Sequence, residues 1–332
     1  MKKVFGIFMI SCIWLAPVSL AQSPTVSISG YIQVAFTEEF DSNDNGNVDP
    51  STFEIERVSI KFRGDVTETV RYKLAIDPGE ADGSMLRDVY LAIKVFPKHE
   101  LLVGQQKTQF GYENLVSASR LYFVDRAEVI EDQARGTTVR DIGIGLIGKF
   151  ALSENWDFEE GITVVNGAGM NVNEDNTPKK NTWGRFGIRY KSSTVLWRFG
   201  ISGGIGDITN DGKDPDDPDD DIFIDITRSG ADMQFENEWL RFVTEYVTGT
   251  DDRPGRDLRE ESGYYVNLIG KTSYQMGPTF RHETVGRKQL GRNTVGAYYG
   301  KPSDNFRVLV NYESRATEEG DDRIFLLAQG SF

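Results

Sequence analysis

Residues 57–65 read Arg-Val-Ser-Ile-Lys-Phe-Arg-Gly-Asp, and their side chains alternate between apolar and polar. Every second residue from Val58 to Phe62 is apolar, whereas Lys61 and Arg63 lie on the opposite face of an extended chain. A period of two indicates a β-strand, because successive strand side chains point to opposite sides. This stretch predicts a strand with one face toward an apolar environment and the other toward water.

The same alternation recurs along almost the whole chain after residue 24, and no long helical period competes with it. The alternating segments are typically about ten residues long, which suits tilted strands that cross a hydrocarbon layer. We predict sixteen strands, near residues 25–36, 53–64, 70–77, 85–96, 100–107, 140–150, 157–166, 182–191, 194–204, 222–233, 238–248, 262–271, 274–284, 292–300, 306–314 and 323–332.

The predicted connections alternate in length. Those after the even-numbered strands are tight, as at 65–69, 97–99 and 192–193, whereas most of those after odd-numbered strands are long, as at 37–52 and 205–221. Short turns on one side and long loops on the other are typical of bacterial outer-membrane barrels. The predicted fold class is all-β, a transmembrane antiparallel β-barrel of sixteen strands.

Both ends of the chain fit an exported barrel. Residues 1–21 begin with two lysines after the first Met, continue with a short apolar run and end at Ala21, as a cleavable signal peptide does. Residues 22–332 then form one barrel domain. Phe332 ends the apolar face of the last predicted strand, which is consistent with a membrane barrel.

The one cysteine, Cys12, lies within the predicted signal peptide. A lipid anchor on this residue is the alternative interpretation. If the peptide is removed, the mature chain has no thiol, so disulfides and thiolate metal sites are excluded. Hydrogen-bonded closure of a large sheet is another way to hold such a chain together.

The chain carries 37 Lys plus Arg and 51 Asp plus Glu, a formal charge of −14 at pH 7. This balance disfavours a general nucleic-acid binder, which needs a basic face against phosphate. The acidic residues are concentrated in the long connections, above all 37–52 and 205–221. We therefore expect an acidic outer rim above a slightly basic wall.

Charged strand residues lie mainly opposite the apolar face, on the side that points into the lumen of a membrane barrel. So many ionised groups must line water, because an unpaired charge in a dry core is very costly. The alternative for each cation is a structural pair with a neighbouring carboxylate. The predicted pore lining is Lys61, Arg63, Arg71, Lys73, Lys94, Arg185, Arg189 and Arg198, on a face shared with Arg57, Lys149, Arg241, Arg281, Arg307, Asp77, Asp88, Asp141, Glu245, Glu283 and Glu313.

The longest predicted connection, residues 108–139, is too apolar for a loop in solvent. As the third long loop, it would bury this surface by folding inward against the barrel wall, which would narrow the channel. We predict that an anion meets a constriction there, formed by Lys107, Arg120, Arg126, Arg135 and Arg140. The alternative is that the loop arginines pair with Asp125, Glu128, Glu131 and Asp132.

Residues 103–111 read Val-Gly-Gln-Gln-Lys-Thr-Gln-Phe-Gly and resemble the signature at the entry to the inward loop of the phosphate-selective porins O and P. Gln106 and Gln109 depart from that signature, where the family has Phe and Pro. Other segments that resemble blocks of this family are 57–65, 72–74, 86–90 and 140–146.

This resemblance extends over about residues 53–150, with only a general barrel pattern beyond. It implies a sixteen-stranded, trimeric diffusion channel with a preference for phosphate-like anions. A full ladder of basic residues cannot be matched to the family residue by residue.

The sequence contains one candidate for a bound cofactor, a Ca²⁺ ion at an external loop. Asp41, Asn43 and Asn45 are oxygen donors at positions one, three and five of such a loop, Gly46 is at position six, and Asp49 is a fourth candidate ligand. Position twelve of that loop is Thr52 rather than a bidentate glutamate. A solvated acidic loop is therefore the alternative, and we expect no cofactor to be required.

Two histidines, His99 and His282, are the side chains suited to general-base chemistry at neutral pH, apart from perturbed carboxylates. No nucleophile motif accompanies either of them, and the strand register points His282 toward lipid. The sequence therefore does not predict an enzyme.

Together these features predict a porin of the bacterial outer membrane, a water-filled channel for passive diffusion of small hydrophilic solutes, with a preference for anions. Its expected partners are membrane lipid, lipopolysaccharide, the solutes in transit and two further copies in a homotrimer. The alternative is a surface binding protein that acts through its acidic loops, by Ca²⁺ or adhesion.

Overall fold

The computed structural model describes residues 26–40, 51–79, 85–131, 139–175, 177–210, 222–255, 257–286, 290–315 and 322–332. Within them lie sixteen strands: β1 Val26–Phe40, β2 Ser51–Asp65, β3 Val70–Ile76, β4 Leu86–Phe96, β5 His99–Lys107, β6 Arg140–Ala151, β7 Trp156–Val165, β8 Asn181–Lys191, β9 Leu196–Asn210, β10 Ile222–Glu236, β11 Leu240–Asp252, β12 Arg259–Gly270, β13 Met276–Val285, β14 Leu290–Tyr299, β15 Phe306–Arg315 and β16 Asp322–Ser331. The described residues between β5 and β6 include a short helix, α1 (Tyr112–Leu115), and a 3₁₀ turn, Ala118–Arg120. Among the described residues, no helix is long and apolar enough to span a membrane.

Each strand pairs antiparallel with its neighbours in the chain, and β1 pairs with β16, so the sheet is a closed barrel. In the closing ladder, residues Tyr31 to Phe40 of β1 lie opposite β16. Phe332 extends this ladder, because its N–H donates to the Gly30 carbonyl (3.0 Å) and its carbonyl accepts the Gly30 N–H (2.8 Å). The predicted all-β, sixteen-stranded antiparallel barrel is confirmed, and closure leaves no unpaired sheet edge.

Several strands are longer than the alternating pattern indicates. β9 continues to Asn210 and β11 to Asp252, although the sequence predicts loops from residues 205 and 249. Backbone pairing continues there because a ladder needs only its N–H and C=O groups, not an apolar face. The alternation fades in these segments, since both faces of a strand meet water beyond the membrane.

The outer face of the barrel is apolar and its inner face polar. Ile28, Ile55, Ile201 and Ile205 are each more than half exposed on the outside, and Phe332 is 61% exposed there. An exposed apolar belt of this kind suits a barrel surrounded by lipid.

Residues 108–131, hereafter loop L3, follow β5 and pack against the inner wall. Phe110, Val129 and Ile130 are buried in a cluster with wall residues of β7, β8 and β10–β12. Phe123 and Val124 are buried in a second cluster with wall residues of β12 and β14–β16. L3 therefore occupies the side of the lumen along β7–β16.

Several predicted features lie outside the described residues. They are the signal peptide at 1–21, the candidate Ca²⁺ donors Asp41, Asn43, Asn45 and Asp49, the acidic run 214–221, and Asp132 and Arg135 of the third long loop.

Candidate pore constriction

The first arm of L3 is tied to β11 through its backbone. Gly111 has a φ of 71°, in the left-handed region that favours glycine, and a Cβ there would lie 2.7 Å from Glu245 Oε1. The N–H groups of Tyr112 and Glu113 donate to the two carboxylate oxygens of Glu245, at 2.8 and 3.1 Å. The glycine thus permits the close approach that fixes this arm to the wall.

The middle of L3 is held by β15. Arg307 is buried and donates to the carbonyls of Ser119 and Leu121, at 2.7 and 2.8 Å. Asn311 Oδ1 accepts the Val124 N–H at 2.8 Å. Wall side chains therefore satisfy backbone groups of the loop, which would otherwise be buried without partners.

The return arm of L3 is held by β13. Arg281 donates to the Asp125 carbonyl at 3.0 Å and pairs with the Glu113 carboxylate at 3.0 Å. Glu283 accepts the Glu128 N–H at 2.7 Å. L3 is thus attached to the wall at both arms and at its middle, and it forms a fixed part of the channel lining.

Two of the predicted constriction cations hold the backbone of L3 itself. Lys107 Nζ donates to the carbonyls of Asn114 (2.5 Å) and Val116 (3.1 Å). Arg126 is buried and donates to the carbonyls of Glu113 and Val116. Their donors are therefore directed into the loop.

A third predicted cation, Arg140, lies on the wall in an ion pair. Its Nε is 2.7 Å from one oxygen of Asp88, and Lys73 Nζ is 2.5 Å from the other oxygen. One carboxylate thus serves two cations, and this group retains a net positive charge.

Arg120, at the end of the 3₁₀ turn of L3, is exposed and its guanidinium has no ion-pair or hydrogen-bond partner within the described chain. Lys61 and Arg63 of β2 likewise have no carboxylate partner among the described residues. Arg63, Lys73 and Arg120 all lie close enough to Lys61 to act on its charge. The structure therefore brings Arg120 together with wall cations that the sequence predicted as pore lining.

The cross-strand register explains why these charges are concentrated. Arg63 lies directly opposite Lys73, and Lys73 directly opposite Tyr90. Like charges placed directly opposite each other repel. Lys73 Nζ lies 5.5 Å from the centre of the Tyr90 ring, and Lys61 Nζ 4.9 Å from that of Tyr31, so aromatic faces offset part of the repulsion. The remaining positive field suits an anion.

The other predicted pore-lining cations have partners on the wall. Arg71 pairs with Glu100 at 2.5 Å, Arg185 with Asp232 at 2.7 Å, Arg198 with Glu159 at 3.1 Å and Arg189 with Asp157, while Lys94 Nζ donates to the Glu68 carbonyl at 3.0 Å.

Two tyrosines of L3 contribute no charge at neutral pH. Burial raises the pKa of Tyr122 to about 12, and it also raises the pKa of Tyr112. Both phenols therefore stay protonated and act as neutral hydrogen-bonding groups beside the cations.

The groups that hold L3 cannot be identified from the sequence. The alternation places Glu245, Glu283 and Arg281 on the lumen face, but it does not reveal their contacts with the loop. A signal for them exists, because Val243 and Val247 put apolar residues on the otherwise charged lumen face of β11. An apolar patch inside a water-filled barrel indicates where a loop is packed.

The histidines lie apart from the constriction. His99 Nε2 is 3.1 Å from Glu160, with its ring centre 4.3 Å from that of Phe150. His282 Nδ1 is 2.9 Å from Asn293 Oδ1. In the part of the chain that the structure describes, no group of three or more His, Cys, Asp or Glu residues could hold a metal ion.

Comparison with known proteins gives a match to one family model and a shared fold. Residues 26–189 match the family model described as phosphate-selective porin O and P. No curated protein matches the chain.

Solved structures of outer-membrane channels share the whole barrel. OmpT, an outer membrane protein of Vibrio cholerae in a trimer form, has a TM-score of 0.59 at 13% identity, over 94% of this chain and 100% of that one. The anion-selective porin from Comamonas acidovorans has a TM-score of 0.59 at 8% identity, over 93% and 100%. The outer membrane channel DcaP of Acinetobacter baumannii has a TM-score of 0.56 at 14% identity, over 93% and 97%. At these identities the likeness establishes the fold.

Proposed function

We propose that the chain, whose residues 26–189 match the phosphate-selective porin O and P family model, is a bacterial outer-membrane porin and that its channel favours small anions of the phosphate type. We propose that it acts as a channel and that catalysis has no part in its function. Passage is passive diffusion of hydrophilic solutes through the space that L3 leaves open.

The observation that carries the anion preference is the group of Lys61, Arg63 and Arg120. No carboxylate forms an ion pair with these three cations in the described chain, and Arg63 and Arg120 both act on the charge of Lys61. In a narrow, partly desolvated passage such a field attracts anions and rejects cations. The anion-selective porin with the same fold supports this assignment.

Competition between anions tests the proposal. Chloride current through the purified protein in a planar bilayer should fall as inorganic phosphate is added, because phosphate occupies the cation group. A hydrogen bond to a charged group contributes about 1.5–3 kcal/mol, so Arg120→Ala or Lys61→Ala should weaken this block roughly tenfold or more.

Arg189→Ala is the matched control, because it removes one wall cation that pairs with Asp157 instead of facing Arg120. It should leave the phosphate block close to that of the wild type. If Arg120→Ala and Lys61→Ala behave like this control, the assignment of the anion site is wrong.

Assembly and processing are further parts of the proposal. The trimer form of the OmpT structure supports a homotrimer, and a barrel with an apolar belt suits contact with lipid and lipopolysaccharide. We also propose cleavage after Ala21 and an external Ca²⁺ site at Asp41, Asn43, Asn45 and Asp49. Mass spectrometry of the mature chain and Ca²⁺ titration of the folded protein test these two points.

A further inference from the structure

Glu245 is a buried carboxylate near the middle of β11, and it is 1% exposed. Its Oε1 accepts the Tyr112 N–H (2.8 Å), and its Oε2 accepts the Glu113 N–H (3.1 Å) and the Tyr265 hydroxyl (3.1 Å). Both oxygens therefore act as acceptors, which is the behaviour of an ionised carboxylate.

The charges around Glu245 disfavour this ionised form. Asp232 lies directly opposite it on β10, and Glu113 approaches it from L3. Arg185 pairs with Asp232 at 2.7 Å and Arg281 with Glu113 at 3.0 Å, whereas no cation pairs with Glu245 among the described residues. A buried carboxylate without a cation is costly, and like charges directly opposite repel.

The remaining neighbours do not supply the missing cation. Tyr265 lies opposite Glu245 on β12 and is a neutral donor. Arg241, lower on β11, donates to the Tyr112 hydroxyl (2.7 Å) and pairs with Glu236 (2.8 Å). The three donors thus favour the ionised form of Glu245, at a place where ionisation is unfavourable.

From this geometry we propose that Glu245 is a titratable positioning residue, and that its protonation loosens the attachment of residues 111–113 to the wall and narrows the channel. A neutral carboxylic acid is a weaker acceptor than a carboxylate, so its hydrogen bonds from the N–H groups of Tyr112 and Glu113 weaken on protonation. Phe110 and Tyr112 of this arm pack against the wall, so a loosened arm moves away from the wall, into the lumen. The inference rests on the proposed channel function and adds a pH response to it.

The pH dependence of conductance tests the inference. Wild-type conductance in planar bilayers should fall as the pH is lowered from about 8 to about 4, over roughly two pH units, as expected for one titrating group. Glu245→Gln places an amide NH₂ where an acceptor is needed, so this variant should conduct at the low level at every pH. Glu159→Gln is the matched control, since that wall carboxylate pairs with Arg189 and Arg198, and its pH profile should match that of the wild type.

Two more variants separate titration of Glu245 from a purely structural role. Asp232→Asn removes the facing negative charge, so the midpoint of the transition should move to lower pH. Tyr265→Phe removes a hydrogen bond to the ionised form, so the midpoint should move to higher pH.

The outcomes distinguish this inference from the channel function. A wild-type conductance that stays constant over the pH range, or a wild-type profile in Glu245→Gln, overturns the inference and leaves the channel intact. If Glu245→Gln does not fold, opposite shifts in Asp232→Asn and Tyr265→Phe support the inference, and shifts of the same sign overturn it. Wild-type protein that forms no channels overturns both proposals.

Discussion

Arg281 joins the barrel wall to L3 with a single side chain that is 2% exposed. It pairs with Glu113, donates to the Asp125 carbonyl and lies 4.2 Å from the centre of the Phe123 ring. Arg281→Met should lower the free energy of unfolding by about 3–5 kcal/mol, because it leaves the Glu113 carboxylate buried without its cation.

Urea unfolding of the refolded barrel in lipid measures this change. Arg71→Met is the control, since the Arg71 side chain is 47% exposed in its pair with Glu100, and an exposed pair contributes at most about 1 kcal/mol. Equal losses in the two variants would contradict the anchoring role of Arg281.

Adjacent glycines of β9 give a second comparison at the residue scale. A Cβ on Gly204 would lie 2.0 Å from the ring of Trp183, which is buried beside Phe110 of L3, whereas the nearest atom to a Cβ on Gly203 is 3.8 Å away. Gly204→Ala should therefore cost about 1–3 kcal/mol through overpacking, and Gly203→Ala should have little effect. Trp fluorescence should shift in Gly204→Ala alone, and a shift of the same size in both variants would contradict this packing.

At the scale of the element, the strands could be predicted from sequence and the contacts of L3 could not. Alternation is a local property, so residues 57–65 identify a strand by themselves. The bond from Tyr112 to Glu245 joins residues 133 positions apart, and no local pattern encodes it. The apolar content of residues 108–131 did indicate a packed loop, and its side chains do pack on the wall.

The roles of the L3 cations could not be predicted from the sequence either. The types and spacing of Lys107, Arg120 and Arg126 are equally compatible with an anion site and with structural pairing. The structure directs Lys107 and Arg126 to loop carbonyls and leaves the Arg120 guanidinium exposed. Only the three-dimensional path of the loop separates these roles.

Weakening the attachment of the middle of L3 to the wall should change the noise of the channel current. Arg307→Met removes the donors to the Ser119 and Leu121 carbonyls, and each lost bond to a charged group costs about 1.5–3 kcal/mol. The Arg120 turn should then fluctuate, and open-channel current noise should rise. Lys94→Met, which removes a donor to the Glu68 carbonyl, should leave the noise unchanged, and equal noise in both variants would contradict the account.

At the scale of the whole molecule, the formal charge of −14 conceals an uneven distribution. The acidic residues are concentrated in the long connections of the sequence, whereas Arg63 and Arg120 both act on the charge of Lys61. The alternation of short and long connections predicted the closed barrel correctly, because strand closure depends on a regular pattern. Which lumen charges stay unpaired depends on the register of neighbouring strands, and the sequence does not specify that register.

The zero-current potential of the purified protein, in a planar bilayer that separates two KCl concentrations, tests the central claim most directly. Dilute salt is required, because screening weakens charge selection as the ionic strength rises. We predict that the wild-type potential has the sign expected when chloride crosses faster than potassium. In Arg120→Ala and Lys61→Ala the potential should shift toward the sign expected when potassium crosses faster. A wild-type potential of cation sign that these substitutions leave unchanged would contradict the account.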